Sequence, residues 1–340
     1  MELKIIRKFQ DFDALASEWN RLLANSASHV PFLRHEYLST WWRTLGGGEW
    51  SQGDLCIVTA REKNGSLSGI APLFATENLD GEPSLMLLGS IEISDYLDLI
   101  VPANELPTFL EALLELLDSS AAPGWRILDW YNILDGSPTL PALKSIVEKA
   151  GWSYTQRKLQ HCPYIPLPGD WDTYLGGIKK KQRHEIRRKM RRAADNERPT
   201  DWYIIQDESN LEAEMEDFFT LMAQDPEKED FLTEAMRAQM QAVVKAAFQA
   251  DWLQLAFLEV GGEKAAGYLN FDYGDHIWVY NSGFDFKFSE LSPGWVLLGH
   301  LLKWANEQGR EAFDFMRGNE AYKYRFGGID RFVVRAQVRR

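Results

Sequence analysis

The chain has 340 residues, which at roughly 150 residues per domain predicts about two domains. It is 45% hydrophobic and 26% charged, a globular composition that excludes a long disordered or collagen-like chain. Lys and Arg number 37 against 50 Asp and Glu, and the net charge of −13 excludes a generic nucleic-acid coat while leaving room for a local basic patch.

In chain order, residues 3–6 read as a strand. Residues 12–23 read as a helix with Phe12, Leu15, Trp19, Leu22 and Leu23 on one face, and residues 31–42 as a second helix. Two apolar runs, residues 55–60 and 67–74, flank a turn at Asn64-Gly65 and predict a hairpin. A strand over residues 96–101, a helix over 107–117 stopped by Pro123-Gly124, and a strand over 127–131 follow. Pro163, Pro166 and Pro168 disfavour helix and place a linker over residues 156–168.

The second half repeats this order. Runs at residues 253–260 and 265–273 flank Gly261-Gly262. A strand over 276–283, a helix over 293–307 stopped by Gly309, and a strand over 312–316 come next. Leu128-Asp129-Trp130 and Phe313-Asp314-Phe315 hold equivalent places. The expectation is an α/β fold of two similar halves with mixed sheets, residues 1–155 and 169–340, with a cleft between them.

Three segments carry candidate chemistry. Residues 179–192 hold nine Lys or Arg and the single acid Glu185, while Ile178, Gln182, Ile186 and Met190 recur at spacing four. A helix with a thin apolar stripe is expected. Its like charges at spacing four repel by a few tenths of a kcal/mol per pair. That favours an anionic ligand, with Arg183 and Arg187 as the contacts, over a merely solvated face. Ser292-Pro293-Gly294 opens a helix as an N-cap followed by Pro at the first position, and unpaired N–H groups there suit a phosphate. The run from Met316 to Gly328 places Arg317, Tyr322, Lys323, Tyr324 and Arg325 beside glycines after a strand end.

Other classes find little support. There is no Gly-x-Ser-x-Gly elbow, no P-loop and no His-x-x-x-His spacing, so no metal is expected. No run of about 18 apolar residues predicts a membrane-spanning helix. Residues 1–7 alternate charged and apolar side chains and lack a signal-peptide core. Cys56 and Cys162 stand far apart, which argues against a disulfide framework and for a cytoplasmic location.

The second half resembles the CelD/BcsL group of GNAT acyltransferases, those associated with cellulose biosynthesis. The matching stretches are Lys181-Gln182-Arg183-His184-Glu185-Ile186-Arg187-Arg188, Tyr280-Asn281-Ser282-Gly283-Phe284-Asp285, Ser289-Glu290-Leu291-Ser292-Pro293-Gly294, and the run from Phe313 to Gly327. The two-half arrangement resembles the FemABX peptidyltransferases. The resemblance implies tandem GNAT-like domains, acetyl-CoA or another acyl-CoA as co-substrate, and a small-molecule or sugar-linked amine as acceptor. Asn281, Ser282, Ser292, Gly294 and Trp295 would hold the cofactor. Asp98, Asp272 or Asp95 would be the base, with Tyr280 beside them, and Tyr322 or Tyr324 would protonate the leaving thiolate. Lys323, Arg317 and Arg325 would bind acceptor or cofactor phosphates. The loop before Trp295 keeps one glycine where the family pattern has more, so weaker CoA binding is expected. Two alternatives stand beside this reading: a non-catalytic module for a phosphorylated or anionic ligand, and a FemABX-like transferase using aminoacyl-tRNA, the one case in which nucleic acid is a partner.

Overall fold

The computed structural model describes residues 1–340. Two units separate: Met1–Gln160 together with Phe332–Arg340, and His161–Arg331.

The first unit runs β1 (Glu2–Ile6), α1 (Phe9–Asp13), α2 (Ala16–Leu23), α3 (His35–Gly48), β2 (Asp54–Leu55), β3 (Ile57–Arg61), β4 (Leu67–Ala71), β5 (Leu73–Glu77), β6 (Pro83–Leu87), α4 (Leu106–Asp118), β7 (Ile127–Leu134), α5 (Thr139–Lys149) and β8 (Ser153–His161). The hairpin at Asn64-Gly65 forms as β3 and β4, and β1 pairs with β3. One expected helix over residues 12–23 is two, because Leu15 N–H bonds the carbonyl of Phe12, a tightened turn that breaks the helical ladder. The expected strand over residues 96–101 is a buried loop with a single bridge, Ile70 to Ile100. Tyr96 has φ 51°, and Asp98 gathers hydroxyl donors that hold the segment irregular. The expected linker is partly strand: β8 enters it, and the prolines that disfavour helix are tolerated at a sheet edge. The C-terminal strand Phe332–Arg339 lies between β7 and β8 in the first unit's sheet, so it belongs to the first unit and not to the expected second domain of residues 169–340. Arg335 on that strand reaches the fully buried Asp129 at 2.6 and 2.5 Å, so a buried ion pair joins it to β7.

The second unit runs β9 (Tyr164–Pro166), α6 (Trp171–Gly177), α7 (Lys180–Ala194), β10 (Thr200–Ile204), α8 (Leu211–Met222), α9 (Pro226–Phe231), α10 (Glu234–Gln249), β11 (Leu253–Val260), β12 (Glu263–Tyr273), β13 (His276–Phe284), α11 (Pro293–Glu307), β14 (Ala312–Asp314) and α12 (Ala321–Arg325). Its sheet has the order β10-β11-β12-β13-β14-β9, antiparallel except for the parallel pair β13 and β14. That parallel pair needs a crossover, which α11 supplies. The core face of α11 buries Val296, Leu297, Leu301, Leu302 and Ala305 against Ile277 and Phe313 of the sheet. Each fully buried Leu or Val of this kind contributes about 1.5–3 kcal/mol.

Two features shape the end of this sheet. Leu269 pairs with Asn281 and Asn270 with Val279, so Tyr280 is the extra residue of a bulge that bends β13. The pairing of β13 with β14 stops at Trp278 and Asp314, which leaves residues 279–284 without a strand on that side. Gly283 allows the backbone of α8 to approach, since a Cβ there would sit 2.5 Å from the backbone of Leu221 and Met222.

Candidate active site

A cavity of about 330 Å³ opens where β13 loses its neighbour. One wall is Tyr268 with Ser282, Gly283 and Phe284. The opposite wall is the start of α11, from Ser292 to Trp295, with Leu298 behind it. Ser289, Lys189 of α7 and Tyr322 of α12 complete the lining. Thus the predicted Ser292, Gly294, Trp295, Ser282 and Tyr322 do come together.

The helix start differs from the expected phosphate cradle. Ser292 is left-handed (φ 55°, ψ 55°) and its side chain caps nothing. Its carbonyl already accepts the N–H groups of Trp295 and Val296, at 3.0 and 3.1 Å. Pro293 has no N–H. Gly294 N–H is therefore the first-turn donor left for a ligand, rather than several.

Cationic side chains make up the shortfall. The basic segment forms α7 as predicted, with Ile186 and Ala193 buried. Gly299 of α11 lets Met190 lie close, since a Cβ there would be 2.9 Å from its sulfur. This packing turns Lys189 into the cavity, with Nζ 4.3 Å above the Trp295 ring. Burial pulls the Lys189 ammonium below its usual pKa, and Glu185 opposes that pull from 3.8 Å. Arg192 donates to Ser292 Oγ at 3.4 Å. Arg325 is exposed, and its charge is felt at Lys189. An anion here would meet Lys189 and the Gly294 N–H, with Arg192 behind Ser292 on the same wall.

The cavity's phenols are donors at neutral pH. Burial pushes Tyr268 upward, and it pushes Tyr322 well above the ordinary phenol range, with Tyr268 and Glu320 adding to the rise at Tyr322. Both hydroxyls keep their protons.

Several expected residues lie elsewhere. Asp98 belongs to the first unit, where Ser28 and Ser137 donate to it at 2.5 Å, Thr139 at 2.6 Å and Leu99 N–H at 2.8 Å. Burial raises its pKa, and its hydrogen bonds make it a structural hub. Asp95 is likewise buried in that unit. Asp272 is held at 2.7 Å by both Nε and Nη2 of Arg310, near the start of β13. Tyr280 packs on Phe271 at 5.2 Å, and Asn281 accepts from Ser282 N–H at 2.8 Å; neither lines the cavity. Lys323 is 3% exposed and donates to the carbonyls of Arg317 and Gly318, at 2.8 and 3.2 Å, so it staples the loop before α12. Tyr324 faces Asp330 at 3.3 Å. Arg317 is half-buried in the stapled loop. Arg183 points to the carbonyls of Leu175 and Gly176, and Arg187 pairs with Asp172 at 3.0 Å. In their place the basic helix offers Lys189 to the cavity and Arg192 to Ser292 on its wall.

Sequence reasoning missed Lys228. It comes from α9, and its Nζ donates to the Ser282 carbonyl at 2.5 Å, with its pKa depressed by burial. It lies in an acidic stretch with no motif. Tyr268 was visible only as a core residue of its strand.

Residues 180–324 match the family model described as Acetyltransferase (GNAT) domain. Among solved structures, FemX is similar at a TM-score of 0.67 with 12% identity, covering 99% of this chain and 97% of that one. A conserved protein of unknown function from Bacteroides thetaiotaomicron is similar at 0.59, with 12% identity and 100% of both chains covered. The C-terminal domain of a putative lysylphosphatidylglycerol synthetase from Agrobacterium fabrum is similar at 0.57, with 13% identity over 98% and 93%. At these identities the likeness is one of fold. The architecture is mixed α/β, and the stretch that matches the GNAT model lies within the second unit. None of the curated proteins matches the sequence. No helix is long and apolar enough to cross a membrane.

Proposed function

We propose that the chain is a cytoplasmic N-acyltransferase that moves an acyl group, acetyl in the simplest case, from acyl-CoA to an amine on a sugar or cell-envelope precursor, in the manner of the CelD/BcsL group. The observation that carries this reading is the meeting of Gly294, Lys189 and the protonated Tyr322 around one cavity beside the unpaired end of β13, with Arg192 donating to Ser292 on its wall. The residues fit a phosphate-bearing thioester. Gly294, Lys189 and Arg192 would hold its phosphates through charge-assisted bonds. Phe284, Trp295 and Leu298 would cover its apolar arm. Tyr322 would give its proton to the departing thiolate. Holding donor and acceptor in one place supplies much of the acceleration.

The test is a thermal-shift screen with acetyl-CoA, longer acyl-CoAs and nucleotide-sugars. A ligand at 100 times its Kd adds about 2.7 kcal/mol of stability. A shift with acyl-CoA alone supports the reading. A shift with nucleotide-sugars only favours a non-catalytic anion-binding module. Aminoacyl transfer from tRNA is the second reading, favoured by the exposed basic side chains of α7; it predicts RNA binding that falls steeply with salt.

A further inference from the structure

The cavity takes Lys189 from α7 and, through Ser292, Arg192, and leaves the outer face of that helix without a task. At about 100° per residue, Lys180, Lys181, His184, Arg187, Arg188 and Arg191 fall within about 120° of one another, opposite the buried Ile186 and Ala193. All six are exposed. Arg187 has a counter-charge in Asp172 at 3.0 Å and Arg188 in Glu185 at 2.8 Å, while Lys180, Lys181 and Arg191 enter no ion pair. Like charges one turn apart repel, so this face is held at a cost that an outside polyanion would offset. Beside it stand two exposed aromatic rings, Phe284 at 40% and Phe286 at 53% exposure. They meet edge to face, with centroids 5.1 Å apart and planes at 82°. Ser292 joins the two features, since it lines the cavity with Phe284 and accepts from Arg192, and α7 packs on the turn of residues 286–291. That turn is electrically even, Lys287 against Glu290, so what it adds to the basic face is apolar.

We propose that this surface docks the protein on a bilayer of anionic phospholipid, with the outer face of α7 on the headgroups and Phe286 entering the interface. Headgroup phosphates form a plane of negative charge, and each Lys or Arg brought near such a plane strengthens binding roughly fivefold. Aromatic side chains beside basic ones enter the boundary between headgroups and acyl chains. The aromatic pair also decides between lipid and RNA as the polyanion. Bases stack on open aromatic faces, whereas these rings stand nearly perpendicular and form an apolar wedge in place of a flat platform. The chain as a whole carries −13, so an anionic surface repels its other faces and the basic patch fixes the orientation. Phe284 belongs both to the wedge and to the cavity wall, which sets the cavity beside the headgroups.

The experiment sediments the full chain with vesicles of phosphatidylcholine alone and with vesicles containing about 30% phosphatidylglycerol, at low and high salt. Wild type is compared with the triple variant Lys180→Glu, Lys181→Glu, Arg191→Glu, with Phe286→Ser, and with a charge-matched control, Lys63→Glu, Lys149→Glu, Lys245→Glu, whose lysines are exposed elsewhere. Thermal unfolding checks that each variant is folded, and tRNA binding is followed in parallel by fluorescence anisotropy. Wild type is expected to sediment with the anionic vesicles only and to be released by high salt. The α7 triple variant should bind them at least about a hundredfold more weakly, roughly fivefold for each cation lost. The control should lose far less, and Phe286→Ser should weaken binding severalfold. Failure of wild type to sediment with anionic vesicles overturns the proposal, and tRNA binding in its place assigns the face to RNA. Equal losses in the α7 variant and the control overturn it too, since net charge alone would then be at work. Unchanged binding by Phe286→Ser removes the wedge and with it the choice of lipid over RNA. The assay uses neither acetyl-CoA nor turnover, so a failure of the acyltransferase reading leaves its result intact.

Discussion

Replacing Gly294 by Asp tests the donor site at the helix start that lines it. A Cβ at Gly294 would meet the Phe284 ring at 3.7 Å, an ordinary contact, so the fold accepts a side chain there. A carboxylate in the first turn of a helix is favourable by about 0.3–1 kcal/mol, and Lys189 and Arg192 are at hand to compensate it. Stability should therefore hold or rise slightly. For a bound phosphate the same carboxylate is a like charge. Two unit charges about 4 Å apart at an effective dielectric of 20 repel by roughly 4 kcal/mol, which is about a thousandfold in affinity. Gly294→Ala keeps the N–H and adds only the methyl contact, so its affinity should stay within severalfold of wild type. Calorimetric titration of acetyl-CoA into the three proteins, with thermal unfolding in parallel, reads both effects. Equal affinity in wild type and Gly294→Asp refutes the placement of the donor. Equal losses in Ala and Asp would show that bulk rather than charge is responsible.

The basic helix should divide by face. Lys189→Ala and Arg192→Ala should each weaken acetyl-CoA binding about tenfold or more, the size of a lost charge-assisted hydrogen bond, while Arg183→Ala and Arg187→Ala leave it unchanged; calorimetry that ranks them the other way would return the site to the helix's outer face. His300 of α11 supplies a pH dependence. It stacks on Trp202 at 5.4 Å, and burial, reinforced by Lys303 and opposed by Asp201, lowers its pKa from 6.5 to about 4. The unfolded chain takes up this proton first, so the contribution is fully present above about pH 6.5 and is lost as pH falls toward 4, on the order of 3 kcal/mol in all. Urea unfolding at pH 7 and pH 4.5 should show a smaller loss in His300→Phe than in wild type; equal losses would exclude His300 as the cause.

Local pattern was enough for the elements around the site. The basic stripe at spacing four predicted α7, Pro293 and Gly309 bracketed α11, and the turn at Gly261-Gly262 separated β11 from β12. Helical and strand periodicity depends on neighbours a few residues apart, and the sequence displays those directly. Which side chains share a cavity depends on how elements pack. On α7 successive residues are about 100° apart, so Lys189 and Arg192 share a face while Arg187 lies nearly opposite Lys189. The contact of Met190 with Gly299, a hundred residues away in sequence, sets which face turns inward. Asp98 and Asp272 looked like bases because their partners, Ser137, Thr139 and Arg310, are remote in sequence. The sequence reading gives residues 332–339 no element of their own, and the buried pair of Arg335 with Asp129 ties this strand to the first unit's sheet. A buried charge must find its counter-charge wherever the chain supplies it, and that match exists only in the folded state.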